Sequence, residues 1–186
     1  MRIKHDKFLE DRTRDIGEFQ ITVLSRACAE EFIPVGFSKA IMISIKDKDD
    51  PPRNLRFKSR YKAICEVDFA DIGKTVIHKD RRYEPINSDD AKQIADFVLS
   101  NKRCLDCNRQ QLIIHCEAGV SRSAGVAAAI AKYYGDEESA EWFLGERVEP
   151  INDIWTSADG SSPFYGNRTV FQEVLNALHL GENNEN

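Results

Sequence analysis

No run of about 18 apolar residues occurs in this 186-residue chain, so no membrane-spanning helix is expected. The opening residues, Met1-Arg2-Ile3-Lys4-His5-Asp6, lack the apolar core of a secretion signal, and a cytoplasmic location is expected. Positive charge is in deficit. The 26 Lys and Arg against 31 Asp and Glu leave a formal charge of −5, which argues against a nucleic-acid partner. Internal repeats and a recognisable linker are also missing. One domain over residues 1–186 is therefore expected, with its core at about 19–178 and a frayed tail at 181–186. Cysteine is sparse and odd in number: Cys28, Cys65, Cys104, Cys107 and Cys116. That suits a reducing compartment rather than a disulfide framework. Cys104-Leu105-Asp106-Cys107 has no second pair or His cluster to complete a zinc site, so no metal or cofactor is expected.

What is present is an alternation of strand-like and helix-like segments. Phe19 to Leu24, Ala40 to Ile45, Tyr61 to Phe69 and Leu112 to His115 read as strands. Ser25 is placed to cap a short helix running to Phe32. Asn87 or Ser88 caps another, with Asp89 and Asp90 in its first turn and Ala91, Ile94, Ala95, Val98 and Leu99 on its apolar face. Ser123 to Tyr134 is apolar nearly all round, the pattern of a central helix, and Gly135 ends it. Ser139 to Arg147 and Arg168 to Leu178 read as two further helices. Lys46 to Asn54, with Asp-Asp-Pro-Pro, and the polar stretch from Gly73 to Ile86 read as surface connections. This order predicts an α/β fold with a mainly parallel central sheet flanked by helices.

The chemistry concentrates in His115-Cys116-Glu117-Ala118-Gly119-Val120-Ser121-Arg122-Ser123, between a strand and the central helix. If residues 117–122 close into a ring, their successive backbone N–H groups surround one anion. Gly119 gives the ring its freedom, and the helix N-terminus adds partial positive charge. Arg122 supplies a planar fork matched to phosphate oxygens. Cys116 is then a nucleophile whose thiolate the same field favours, and it can form a phosphocysteine. Ser123 can hydrogen-bond the sulfur as it leaves. His115 braces the loop rather than acting as a base. The departing oxygen needs a proton, so a carboxylic acid should stand across the crevice. Asp71, just beyond a strand, is the first choice and Asp68 the second; Asp80 and Asp89 look like loop and helix-start residues.

His115-Cys116-x-x-Gly119-x-x-Arg122-Ser123 resembles the signature of the cysteine-dependent protein phosphatases. The compact dual-specificity-like group, with its bacterial and phage-type members, is the nearest match. Ile43-Ser44-Ile45, Phe69-Ala70-Asp71-Ile72 and Ala124-Gly125-Val126-Ala127 fall where such proteins have similar strands, the acid loop and the central helix. Tyr165-Gly166-Asn167-Arg168 looks like a late segment that in the family carries Pro-Asn, with Gly166 in place of the Pro. The resemblance implies Cys116 as nucleophile, phosphate binding by Arg122, leaving-group help from Ser123 and an acid at Asp71. It also implies hydrolysis of phosphotyrosine, with phosphoserine and phosphothreonine open, in a protein or peptide partner. In the low-molecular-weight tyrosine phosphatases the loop opens the chain; on that reading Asp159 would be the acid.

Other readings stay open at this point. The same chemistry serves phosphoinositides and RNA 5′ ends, although Glu117 in the loop would repel additional phosphates. A phosphate-reading module without turnover is another class, as is a thiol redox protein. Oxidised Cys116 could pair with Cys65, Cys104 or Cys107. The basic run Arg53, Arg56, Lys58, Arg60 and Lys62 could attract an anionic partner or simply face solvent.

Overall fold

The computed structural model describes residues 9–34, 40–51, 54–79, 81–105, 110–145 and 162–184. Among the described residues seven strands form two sheets. The main sheet contains β1 (Thr13–Ile16), β2 (Phe19–Ser25), β3 (Ala40–Lys46), β4 (Tyr61–Asp68) and β7 (Gln110–Cys116), in the order β1-β2-β7-β3-β4. β2, β7, β3 and β4 run parallel, and only β1 turns back antiparallel on β2. The fold is thus α/β with a mainly parallel sheet, as the alternation of segments predicts.

The sheet's centre is β7, buried at every residue. Such a strand needs cover on both faces. One face packs a large apolar layer. It is built from Ile21, Ile43 and Ile114 of the strands and from the helices α2 (Ser88–Ser100), α4 (Arg122–Tyr133), α5 (Glu137–Leu144) and α6 (Arg168–Asn184). A smaller layer on the other face gathers Leu24, Met42 and Ile113 under Ala29 of α1 (Arg26–Glu31). α4 is buried from Arg122 to Ala131, which explains its lack of a polar side. A short α3 (Lys102–Leu105) precedes β7. Among the described residues no helix is long and apolar enough to cross a membrane.

The structure corrects several expectations. β1 lies outside the expected strands; its four residues pair only with β2, and Ile16 extends the core ahead of Phe19. The stretch from Gly73 to Ile86 is exposed but not featureless. Val76–His78 (β5) and Arg81–Tyr83 (β6) pair as an antiparallel hairpin, with Lys79 at φ 48° in its turn. The tail is not frayed from Gly181. α6 continues to Asn184, because a side chain at 181 would meet Leu99 and glycine lets the helix lie close to α2. α5 starts two residues before Ser139, where Asp136 caps it by accepting from the Ser139 N–H, and it stops at Leu144 before Gly145. Cys107, Arg53, Asp80, Arg147 and Asp159 lie outside the described residues.

The parallel strands bring four chain segments to one edge of the sheet. They are the start of α1 after β2, the turn after β3, the turn after β4 and the loop after β7. Ligand crevices in open α/β sheets form at this edge, where the strands end.

Candidate active site

β7 ends at Cys116, and α4 begins at Arg122. The residues between form a ring whose outward side is tied down peptide by peptide. The Glu117 carbonyl accepts from the Arg26 N–H at 3.1 Å, and the Val120 carbonyl from the Tyr165 N–H at 3.1 Å. The Ser121 carbonyl accepts from the N–H groups of Asn167 at 3.0 Å and Gly125 at 2.8 Å. The Gly119 carbonyl accepts from Arg12 Nη1 at 2.9 Å. In a trans peptide the C=O and the next N–H point in opposite directions. Four carbonyls fixed outward therefore turn the N–H groups of Ala118, Val120, Ser121 and Arg122 the other way, toward the ring's centre. This is an anion nest at a helix N-terminus.

Gly119 is required twice over. Its φ is +68°, and a Cβ there would stand 2.3 Å from the backbone of Leu24 and Ser25. Only glycine accepts that torsion without strain and lets the ring lie on the end of β2.

Cys116 forms the floor and is 2% exposed. Its sulfur lies 3.1 Å from Ser123 Oγ and accepts from the Gly119 N–H at 3.3 Å. Ser123 is fully buried in the first turn of α4. His115 is fully buried one residue before the loop, in register with Ser44 of β3 and Leu24 of β2. It has no access to solvent from which to shuttle protons.

Arg122 is 5% exposed and held from one side. Nη1 donates to Asp47 Oδ1 at 2.9 Å and to the Phe69 carbonyl at 2.8 Å. Its buried Nε has no hydrogen-bond partner among the described residues. Nε and Nη2 form the edge of the guanidinium away from Nη1, and that edge is the fork that meets two oxygens of a phosphate. A buried donor left bare is costly, which marks it as kept for a ligand.

The structure brings Asp71 to this ring. Its Oδ1 accepts from Ser121 Oγ and from Asn167 Nδ2, both at 2.8 Å, and neither bond uses Oδ2. Asp68 goes elsewhere. It faces a surface pocket with Glu66, Asp90 and Gln93, and pairs with Lys46 at 3.0 Å. Asp89 and Asp90 begin α2, where Asp90 closes a capping box with Asn87. Of the two leading carboxylates, Asp71 alone joins the loop.

Three participants escaped the sequence reading. Asp47 follows β3 and orients Arg122; nothing in its Asp-rich turn distinguishes it from Asp49 or Asp50. Asn167 caps α6, its Oδ1 accepting from Thr169 and Val170 N–H, while its Nδ2 ties Asp71. Its place directly before a helix was the available signal. Arg12 lies 107 residues from its partner Gly119, beyond any local pattern.

Of the candidate resolving thiols, the two described ones, Cys65 and Cys104, lie away from this site. Cys65 is on β4, two strands from β7. Two strand spacings are about 9.6 Å, beyond the Cα separation a disulfide spans. Cys104 is 3.8 Å from Gln110 Oε1, at the opposite end of β7 from Cys116. In the basic run, Arg56 pairs with Glu31 and Lys62 donates to Cys104. Among the described residues no group of His, Cys, Asp and Glu is arranged to hold a metal ion.

No protein-family model matches this sequence, and no curated protein matches it. Among solved structures, the crystal structure of Tk-PTP in the active form is similar, with 13% sequence identity and a TM-score of 0.49. The match covers 89% of this chain and 97% of that one. So slight a likeness carries no weight for activity, which has to be read from this chain's own loop.

Proposed function

We propose that this protein is a phosphatase that hydrolyses phosphate monoesters through a phosphocysteine, with phosphotyrosine in a protein or peptide as its first substrate and phosphoserine or phosphothreonine as further ones. The observation that carries this reading is the ring. A buried sulfur lies beneath four amides turned inward by their tied carbonyls, beside an arginine whose Nε is bare.

In this reading the amides of Ala118, Val120, Ser121 and Arg122 and the Nε–Nη2 edge of Arg122 hold the three non-bridging oxygens. The Cys116 thiolate attacks phosphorus in line and forms the S–P bond as the ester P–O bond breaks. Asp71 gives its proton to the departing oxygen. The resulting Asp71 carboxylate then takes a proton from water, which attacks phosphorus and breaks the S–P bond. Ser123 Oγ donates to the sulfur as it leaves as thiolate. Inorganic phosphate departs, and Asp71 is protonated again. The ring and Arg122 supply the charge stabilisation of both steps.

The test is hydrolysis of p-nitrophenyl phosphate and of a phosphotyrosine peptide, with EDTA present. Wild type should turn over both. Cys116→Ser and Arg122→Ala should lose about 10³-fold or more, the scale for removing a nucleophile or its principal charge partner. Asp71→Asn should suffer more on the peptide, whose leaving group is the poorer, while Asp68→Asn should match wild type. A folded, reduced wild type inert on both substrates would sink the reading and leave phosphate recognition without turnover.

A further inference from the structure

We infer that Arg12 is a positioning residue of the anion loop: its bond to the Gly119 carbonyl holds the 119–120 peptide with the Val120 N–H toward the anion. The inference rests on the phosphatase reading for its substrate, but its geometry stands apart from it.

Of the four tied carbonyls, those of Glu117, Val120 and Ser121 are held by backbone N–H groups, which come with the fold, and that of Gly119 by a side chain, Arg12 Nη1 at 2.9 Å. Its peptide is also the one with fewest restraints of its own, since a glycine at positive φ resists rotation less than any other residue. Without Arg12 the 119–120 peptide can turn over, which would point a carbonyl rather than an N–H at the phosphate. One donor would become one repulsive dipole.

Arg12 is itself well fixed. Its backbone carbonyl accepts from the Val23 N–H at 3.0 Å, which ties it to β2 just ahead of β1. Its guanidinium stands 5.5 Å from the centre of the Phe164 ring, a cation–π contact, next to the Tyr165 N–H that holds the Val120 carbonyl. The same corner therefore clamps two successive loop peptides.

Charge points the same way. Burial holds the Arg12 guanidinium below its usual basicity, while electrostatic interaction with Cys28 and Cys116 acts against that. Arg12 is therefore near enough to Cys116 for its charge to be felt at the sulfur. Arg122, the other cation of the site, is already offset by Asp47 at 2.9 Å. Arg12 is thus a second source of positive field, reaching the loop from its outer side through the Gly119 carbonyl.

Arg12→Met and Arg12→Lys separate the two contributions. Met keeps an apolar stem but neither charge nor donor. Lys keeps the charge but ends short of the Gly119 carbonyl and lacks the planar fork. Three quantities are measured on folded, reduced protein: vanadate inhibition, the kcat and KM for p-nitrophenyl phosphate, and the rate of Cys116 alkylation by iodoacetamide at pH 6.5 with and without phosphate. For Arg12→Met we expect about tenfold weaker vanadate inhibition, a raised KM and about fivefold slower alkylation, the scale of one charge-assisted bond. For Arg12→Lys we expect wild-type alkylation within about twofold but weakened vanadate inhibition. Wild-type values of all three in Arg12→Met overturn the inference. If Arg12→Met does not fold, unchanged vanadate inhibition in Arg12→Lys overturns it. A wild type without turnover sinks the phosphatase reading alone, because protection of Cys116 by phosphate still reads the effect of Arg12. A wild type whose alkylation phosphate does not slow has no anion loop, and both ideas fall.

Discussion

Cys116 and Cys65 are both thiols of the main sheet, 2% and 5% exposed, and both sit in the larger apolar layer. Their surroundings differ. Cys65 lies within β4, and its sulfur has one long contact, to the Gln93 carbonyl at 4.0 Å. Burial pushes its thiol up to about 11. Cys116 lies at the end of its strand, where the chain leaves the sheet and curls back. There the Gly119 N–H, the Ser123 hydroxyl and the Arg12 charge converge on the sulfur. Burial removes water from both thiols; what replaces the water sets how each sulfur can react. A strand interior offers side chains and peptides held straight by the neighbouring strand, as β3 holds those of β4. A strand end offers turnable peptides, and the outside ties of this loop turn them inward.

Among changes to what surrounds the sulfur without touching Cys116 or Arg122, Gly119→Ala should have the largest effect. The Cβ clash with Leu24 must push the ring off β2, and the positive φ adds strain of about 1–3 kcal/mol. We expect kcat/KM to fall about 10²–10³-fold, the scale of lost oxyanion donors. Thermal unfolding should show a lower Tm, and iodoacetamide labelling should slow toward the rate of Cys65. Full activity in Gly119→Ala would break the comparison, because the arrangement of amides would then not matter.

Asp47→Ala comes next. It leaves Nη1 of Arg122 with only the Phe69 carbonyl, so the fork is free to swing. Misplacing a clamp of this kind costs on the order of 10–10²-fold, and we expect most of it in KM. A loss confined to kcat would count against Asp47 as the orienter of Arg122.

Asn167→Ala probes the acid side. It removes one of the two donors on Asp71 Oδ1 and the cap of α6. Cap loss should cost about 1 kcal/mol in denaturant titration. If Asn167 places the acid, kcat should fall about tenfold on the phosphotyrosine peptide and little on p-nitrophenyl phosphate, whose leaving group barely needs a proton. Equal losses on both would leave Asn167 a helix cap and nothing more.

How much of this could be read from the chain alone follows the range of each interaction. β7, the loop and α4 were legible because their residues are contiguous and their patterns local: an apolar run, Cys-x5-Arg, then an apolar helix closed by Gly135. Asp71 was legible from its place after a strand. Asp47 and Arg12 were not. Their partners are 75 and 107 residues away, and only the strand order puts them at the same edge. β1 was missed because four residues of Thr-Arg-Asp-Ile carry too short a pattern to declare a strand. The hairpin at Val76–Tyr83 was missed because its exposed strands have no buried face, and alternation is visible only where one face is apolar. The sequence also offered Cys65 and Cys104 as partners for Cys116. Their spacing in the chain gave no hint that one lies two strands away and the other at the far end of β7.

The smallest effect concerns Cys65 and reads the inert side of the comparison directly. In the unfolded chain its thiol ionises near 9.0, whereas in the fold it holds its proton to about 11. Between those values the unfolded state binds fewer protons than the native state, so stability falls as pH rises. The contribution is fully present below pH 9 and is lost as pH climbs through 11. At pH 10 the deficit from this thiol is about 1.4 kcal/mol, one pH unit's worth of linkage. Burial also raises the Tyr61 hydroxyl, which adds a fall of the same sign. Tyr61 stays in place in Cys65→Val, so the difference between that variant and wild type isolates the thiol. Urea unfolding at pH 8 and pH 10 should show wild type losing about 1.4 kcal/mol more than Cys65→Val over that interval. Equal losses would mean that Cys65 ionises in the fold as readily as in the unfolded chain. Burial would then not be what silences it, and the contrast with Cys116 would have to rest on access alone.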